Sequence, residues 1–187
     1  MDAIEALTNR VSCGKLTGPA PDSQQRDSLY RAALRAADHG NLQPWRFLEV
    51  EGQGLDALGA LYEAAALQDN PGLPDAQRER YRAMPGRAPL VLVAIVRYSD
   101  HPKVPRWEQL VATGAAVQNI VNASFALGIG AYWRTGALTD HAVVRAGLGI
   151  QENESIIGFV YLGTCDAPMK PVPAAPTAEF FQAWPAK

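Results

Sequence analysis

Apolar positions along this chain change period several times, and the changes divide it into elements. Ile4, Leu7 and then Val11 recur at helical spacing, which predicts a short helix over residues 2–10 with Asp2 as its cap and Glu5 three residues on. A second helix runs from an Asp22 or Ser23 cap to about Ala37, with Leu29, Ala33 and Ala36 or Ala37 inward. Trp45–Val50 reads as a strand. The turn Glu51–Gly54 and an Ala- and Leu-rich helix over 55–68 follow. Asp69–Pro74 breaks the pattern, and the polar stretch 75–84 predicts an exposed helix. Leu90–Val96 is a nearly continuous β-branched run, as expected of a strand covered on both faces.

Beyond Pro105, the residues Trp107, Leu110 or Val111, Gly114, Val117 or Gln118, Val121 and Phe125 predict one face of a long helix ending before Gly128. Ala112, Gly114, Ala115, Ala116 and Ala123 on the same helix let another backbone come close, either an intrachain helix or a second subunit. A short helix capped by Thr139 or Asp140 runs to Gly147, and Glu154–Gly163 is a second buried strand. From Thr164 the chain is rich in proline and predicted to be extended, with Phe180, Phe181 and Trp184 free to lie on a neighbour. Long helices between short strands give a mixed α+β layer fold.

Three stretches carry candidate chemistry. Asn9–Leu16 places Arg10, Ser12 and Lys15 within six residues. A planar guanidinium, a neutral hydroxyl donor and a point cation suit a phosphate, although cations at a helix end also suit its dipole. Arg35–Phe47 is a helix-to-strand corner. Gly40 and Asn41 can take positive φ, Pro44 keeps Gln43 out of helical geometry, and Arg35, Asp38, His39, Asn41 and Gln43 gather there. Gly128–Gly136 combines glycines, which let backbone approach a ligand, with Tyr132, Trp133 and Arg134; a strand with a bulge accounts for the same pattern. Neither a Walker A loop nor GxGxxG is present.

Composition narrows the classes. With 17 basic and 19 acidic residues the net charge is −2, and the basic residues are scattered, so neither nucleic acid nor an anionic membrane is an expected partner. No apolar run reaches the roughly 18 residues of a membrane span. The start is acidic and amphipathic, unlike a signal peptide. His39, His101 and His141 lie far apart, and Cys13 and Cys165 form no CxxC, so no metal site is expected. Reduced thiols in a cytoplasmic protein are the expectation.

Taken together, Asn9–Leu16, Asp38–Phe47 and Gly128–Leu138, with Lys103–Gln109 and Ile157–Thr164 between and after them, resemble the nitroreductase family of flavoenzymes, and within it a small single-domain branch. The resemblance runs from about residue 2 to 164. It implies one nitroreductase-like domain over 1–187, its Pro-rich tail starting at about 165, built on a central mixed, mainly antiparallel sheet flanked by helices. It implies a homodimer with FMN held non-covalently at the subunit interface, and NAD(P)H as hydride source for a nitro compound, quinone or similar small acceptor.

Carried over residue by residue, Arg10, Val11 and Ser12 match phosphate and ribityl contacts, and Arg35 and His39 match flavin contacts reaching from the other subunit. Ala131, Tyr132 and Trp133 match the segment whose backbone lies along the flavin, and Arg134 brings a second cation. Trp107 is a candidate for the substrate face. No catalytic residue is assigned. Val11 stands where the family usually has a second Arg, and Lys15 where it has another, so weaker FMN binding is expected. The segment between the strands at 45–50 and 90–96 is short, which implies a reduced substrate cover. The alternative is a non-catalytic FMN-binding protein, holding flavin without turnover.

Overall fold

A computed structural model describes residues 1–185; Ala186 and Lys187, the end of the predicted tail, lie outside the described residues. Among the described residues, six α-helices and five strands make a helix–sheet–helix sandwich. In chain order they are α1 (Ala3–Asn9), β1 (Leu16–Thr17), α2 (Ser23–Ala33), β2 (Trp45–Glu51), α3 (Gln53–Asp69) and α4 (Asp75–Arg82). Then come β3 (Leu90–Arg97), α5 (Arg106–Ala126), β4 (Gly130–Arg134), α6 (Ala142–Gly147) and β5 (Glu154–Cys165).

The sheet order is β1-β5-β3-β2, with β4 also paired to β5, and all the described pairs are antiparallel. β3 explains the two layers. Leu90, Leu92 and Ala94 point into a core with Leu29 and Ala33 of α2 and Ala116, Val117 and Ile120 of α5. Val91, Val93 and Ile95 point the other way, to Leu58, Tyr62 and Ala65 of α3 and Val144 of α6. A strand buried on both faces has no polar alternation, which is why 90–96 reads as one apolar run.

Local signals set most boundaries. Asp2 accepts the Glu5 N–H at 2.9 Å, and Asp22 and Gln25 form a reciprocal capping box. α2 ends at Ala33, short of the predicted Ala37, in a run of tight turns over Leu34–Ala36. The cap of α6 is His141, whose ring accepts the Val143 N–H, instead of Thr139 or Asp140. The polar α4 is exposed as predicted, with no buried residue, and is tied down by Arg78 and Arg82, which both bind the buried Glu63 of α3.

Two expectations are corrected. The buried face of α5 carries Gln109, Ala112, Thr113, Ala116, Val117 and Ile120, while Trp107, Leu110 and Val111 point outward and nothing lies against Gly114. Helical spacing alone could not say which of two apolar stripes the sheet would take. The thiols are not free either: Cys13 and Cys165 form a disulfide with Cα atoms 5.9 Å apart. Pairing of β1 with the end of β5, Leu16 against Cys165, brings the two together. Separated by 152 residues, they carry no spacing signal. The tail is exposed, with one short helical turn at Thr177–Glu179.

Candidate active site

The first predicted segment lies against β4. The Cys13 N–H donates to the Ala131 carbonyl at 3.0 Å, which places Arg10, Val11 and Ser12 beside the strand's outer edge. Val11 and Cys13 line a small cleft with Phe125, Ile129 and Ala131. Arg10 reaches the Ser12 hydroxyl at 3.5 Å. β4 pairs only with β5 among the described strands, so its other edge is open from Trp133 onward.

Alternation along β4 divides its side chains. Ala131 and Trp133 face the α2–α5 layer, while Tyr132 and Arg134 face the other. The Arg134 guanidinium stacks over Tyr132 at 4.1 Å and Tyr161 at 5.4 Å. Its Nε is buried with no hydrogen-bond partner among the described residues. Gly14 passes close to the Tyr132 ring. A continuous set therefore runs from Arg10 and Ser12 through Gly14 and Tyr132 to Arg134. Among the described residues neither arginine is in an ion pair. Lys15 is committed elsewhere, to Asp166 at 2.8 Å. Burial pushes the Tyr161 phenol up, offset in part by the nearby Arg134 and Arg87 charges; burial raises Tyr62 as well.

Trp133 is fixed by an irregularity in β5. Register shifts between Ala94 and Ile95 leave Ile157 unpaired with β3. Its carbonyl accepts the Trp133 indole N–H at 3.3 Å. Gly158 (φ 150°) passes under that ring, where a Cβ would lie 2.2 Å from the indole nitrogen.

Arg35, His39 and Trp107 are not brought to this set. Arg35 lines a groove of about 340 Å³ between α1, α2 and α5, with Ala6, Leu7, Asn122 and Ala126. His39 sits in the short helical turn His39–Asn41, its Nδ1 2.6 Å from Glu108 Oε2 at the start of α5. Glu108 and Phe125 are roughly 25 Å apart along that helix at about 1.5 Å per residue. Within one chain, His39 and Trp107 thus stand a helix length from Val11. Glu108 was missed by sequence reasoning. A carboxylate in the first turn of a helix is ordinary, and its partner lies 69 positions away.

Ile4 and Leu7 of α1, Trp107, Leu110 and Val111 of α5, and Leu127 are all exposed large apolar side chains.

Comparison with known proteins identifies the fold's family. The profile of the nitroreductase family matches residues 7–164. The chain belongs to the nitroreductase family. It is 42% identical over 164 residues to YdjA of Escherichia coli K12, provisionally named an NAD(P)H nitroreductase, with 88% of each chain covered. In structure it is similar to a nitroreductase-like family protein of Bacillus cereus (TM-score 0.82, 21% identity, 98% of this chain and 96% of that one). It is also similar to the FMN- and NADPH-dependent nitroreductase NfnB of Sphigopyxis sp. strain HMH (TM-score 0.78, 22% identity, 98% and 99%). The family's matched span takes in both halves of the candidate site and stops before the tail. No helix among the described residues is long and apolar enough to cross a membrane.

Proposed function

We propose that this protein is an FMN-dependent NAD(P)H oxidoreductase that passes hydride to a nitro compound, a quinone or a similar small acceptor. One observation carries the reading: two guanidiniums without ion-pair partners flank β4, Arg10 with the Ser12 hydroxyl on the segment bonded to the strand at Ala131, and Arg134 at the strand's last residue. The donor set fits the phosphate of FMN. That group carries nearly two negative charges and needs planar forks and a neutral donor, and the buried, partnerless Arg134 Nε is a donor awaiting an acceptor. The open edge of β4 at Trp133 suits a flat ring system, whose polar rim can take backbone hydrogen bonds.

Arg10, Val11, Ser12 and Arg134 hold the phosphate end in this reading, and Ala131, Tyr132 and Trp133 lie along the ring. When bound, FMN supplies the capacity to accept hydride from NAD(P)H and pass it to a second substrate. The protein's own residues bind, orient and exclude water.

The outward apolar face of α1 and α5 supports a homodimer. A second copy seated there would carry Arg35, His39 and Trp107 across to the partner's phosphate-binding half, closing a site that one chain leaves divided. Val11, in place of a cation, and Lys15, held by Asp166, make FMN binding weaker than two further arginines would. We place the enzyme in the cytoplasm, where NAD(P)H is available; there the Cys13–Cys165 bridge forms in competition with reducing thiols.

The test is an absorption spectrum after FMN loading and desalting, followed by anaerobic NADH or NADPH. Retained flavin bands that bleach are expected, and Arg10→Ala/Arg134→Ala should lose the flavin on desalting. A colourless wild type, or a double variant that keeps its flavin, would overturn the site assignment. Retained flavin that nicotinamide does not bleach would leave a flavin-binding protein.

A further inference from the structure

The corner between α2 and β2 holds a geometry that connecting two elements does not require. Gly40 (φ 74°), Asn41 (φ 53°) and Gln43 (φ 49°) are all left-handed, and two of them carry side chains. Each such residue costs on the order of 1 kcal/mol or more, and strain of this kind persists where surroundings impose it. Asp38 imposes it here. Its Oδ2 accepts the Gln43 N–H at 2.5 Å, while its Oδ1 is buried without a partner. The Pro44 carbonyl then takes the Arg97 N–H at 2.7 Å and the Thr113 hydroxyl at 3.3 Å, pinning the corner to β3 and α5.

This corner sets His39 against Glu108. The imidazole is 57% exposed and the carboxylate 26%. Glu108 cannot drift, because the next residue, Gln109, is buried and grips the Ser99 N–H, the Ser99 carbonyl and the Val104 carbonyl. A carboxylate only accepts, so Nδ1–H is the donor at 2.6 Å. Nε2 is left without a hydrogen-bond partner among the described residues, and the ring's partner Glu108 is the chain neighbour of the exposed Trp107.

We propose that His39 is the general acid of the acceptor half-reaction, donating from Nε2, and that Glu108 is its positioning residue. The proposal rests on the oxidoreductase reading above, including the second copy that would carry His39 to the partner's flavin half. The acceptor class is an oxidant whose oxygen must gain a proton as electrons arrive. A nitro group takes one hydride and one proton; an N–O bond breaks, and a nitroso compound and water are formed. A quinone takes the same pair and becomes a hydroquinone. In either case hydride is the reductant and the proton leaves Nε2. The neutral ring keeps Nδ1–H on Glu108 and regains its proton from water. A fixed tautomer and a free second nitrogen are what such a donor needs.

Two measurements on the full-length, FMN-loaded protein test this. The first reads the tautomer of neutral His39 from ¹⁵N shifts at high pH, without any substrate. Nδ1–H is expected in the wild type, with Nε2–H gaining in Glu108→Ala. The second photoreduces the flavin, so that no nicotinamide is needed, and follows its reoxidation by 1,4-benzoquinone or nitrofurazone across pH; reduction by NADPH is followed separately. In His39→Gln, reoxidation should slow at least about tenfold more than reduction and lose its high-pH fall, since positioned general acids contribute about 10²–10⁴-fold. Glu108→Ala should fall between. An Nε2–H tautomer in the wild type, equal slowing of both half-reactions, or an unchanged pH profile in His39→Gln overturns the proposal. Failure of NADPH to reduce the wild-type flavin would instead count against the oxidoreductase reading, with the photoreduced arm still deciding the role of His39.

Discussion

Arg46 on β2 reaches over β3 to Glu154 at the start of β5. Its Nε and Nη2 meet Oε1 and Oε2 at 2.9 and 2.7 Å. The carboxylate side chain is 4% exposed. Arg46→Met keeps much of the stem and removes both charged hydrogen bonds, leaving Glu154 the Gln151 N–H at 3.1 Å. Breaking a buried pair from one side strands the other charge, at a cost of about 3–5 kcal/mol.

The sign with pH is fixed. Hydrogen bonding to Arg46 holds the Glu154 carboxyl below its ordinary 4.5. In the wild type its stabilisation is therefore complete above that value and lost as pH falls through the lower, folded value. In Arg46→Met the buried carboxyl keeps only the more distant Arg97 charge and no hydrogen-bonded cation, so it takes up a proton more readily on folding and the penalty shrinks as pH falls from 7.5 toward 4.5. Urea unfolding at both pH values, at fixed protein concentration and with FMN absent, measures this. Glu154→Leu and the double variant complete a cycle in which the double should cost less than either charge-stranding change suggests. A loss below about 1 kcal/mol for Arg46→Met, unchanged between the two pH values, would refute the reasoning.

Other outcomes follow from single contacts. Gly158→Ala puts a methyl into the Trp133 ring and should cost at least about 2 kcal/mol, read by urea unfolding, and perturb the near-ultraviolet dichroism of that indole. Cys13→Ser/Cys165→Ser opens a closed loop spanning 152 positions, for which chain entropy gives about 5 kcal/mol as the upper figure; an equal urea midpoint with and without the bond would contradict it. Glu63→Leu removes the anchor shared by Arg78 and Arg82, so tryptic cleavage within α4 should accelerate while cleavage elsewhere does not.

The sequence was most legible where a signal was local. Asp2 and Asp22 capped helices as their types predict, the β-branched run 90–96 gave the central strand, and Gly40 and Asn41 took the positive φ expected of them. The candidate site was legible as three stretches but not as a layout. Tyr132 and Arg134 read as neighbours, yet nothing in the sequence put Gly14 beside them. Contacts between residues far apart were not legible. Arg46–Glu154, His39–Glu108 and Cys13–Cys165 each depend on strand order or helix docking, which no window of the chain encodes. The long helix misled for a related reason. It carries two apolar stripes, and the sheet takes one while the other, with Trp107, is left outward.

The Cys13–Cys165 bond makes most of this protein a ring with two short ends. Arg10, which we propose binds the phosphate, sits on one end, just outside the closure, and the proline-rich tail is the other. A single cut anywhere inside the ring, for instance in the Asn70–Pro74 connection between α3 and α4, leaves one covalent molecule whose halves part only when the bond is reduced. Nicked protein would migrate on a denaturing gel as one species without thiol and as two with it. Its β1–β5 junction would stay stapled beside the proposed flavin site throughout.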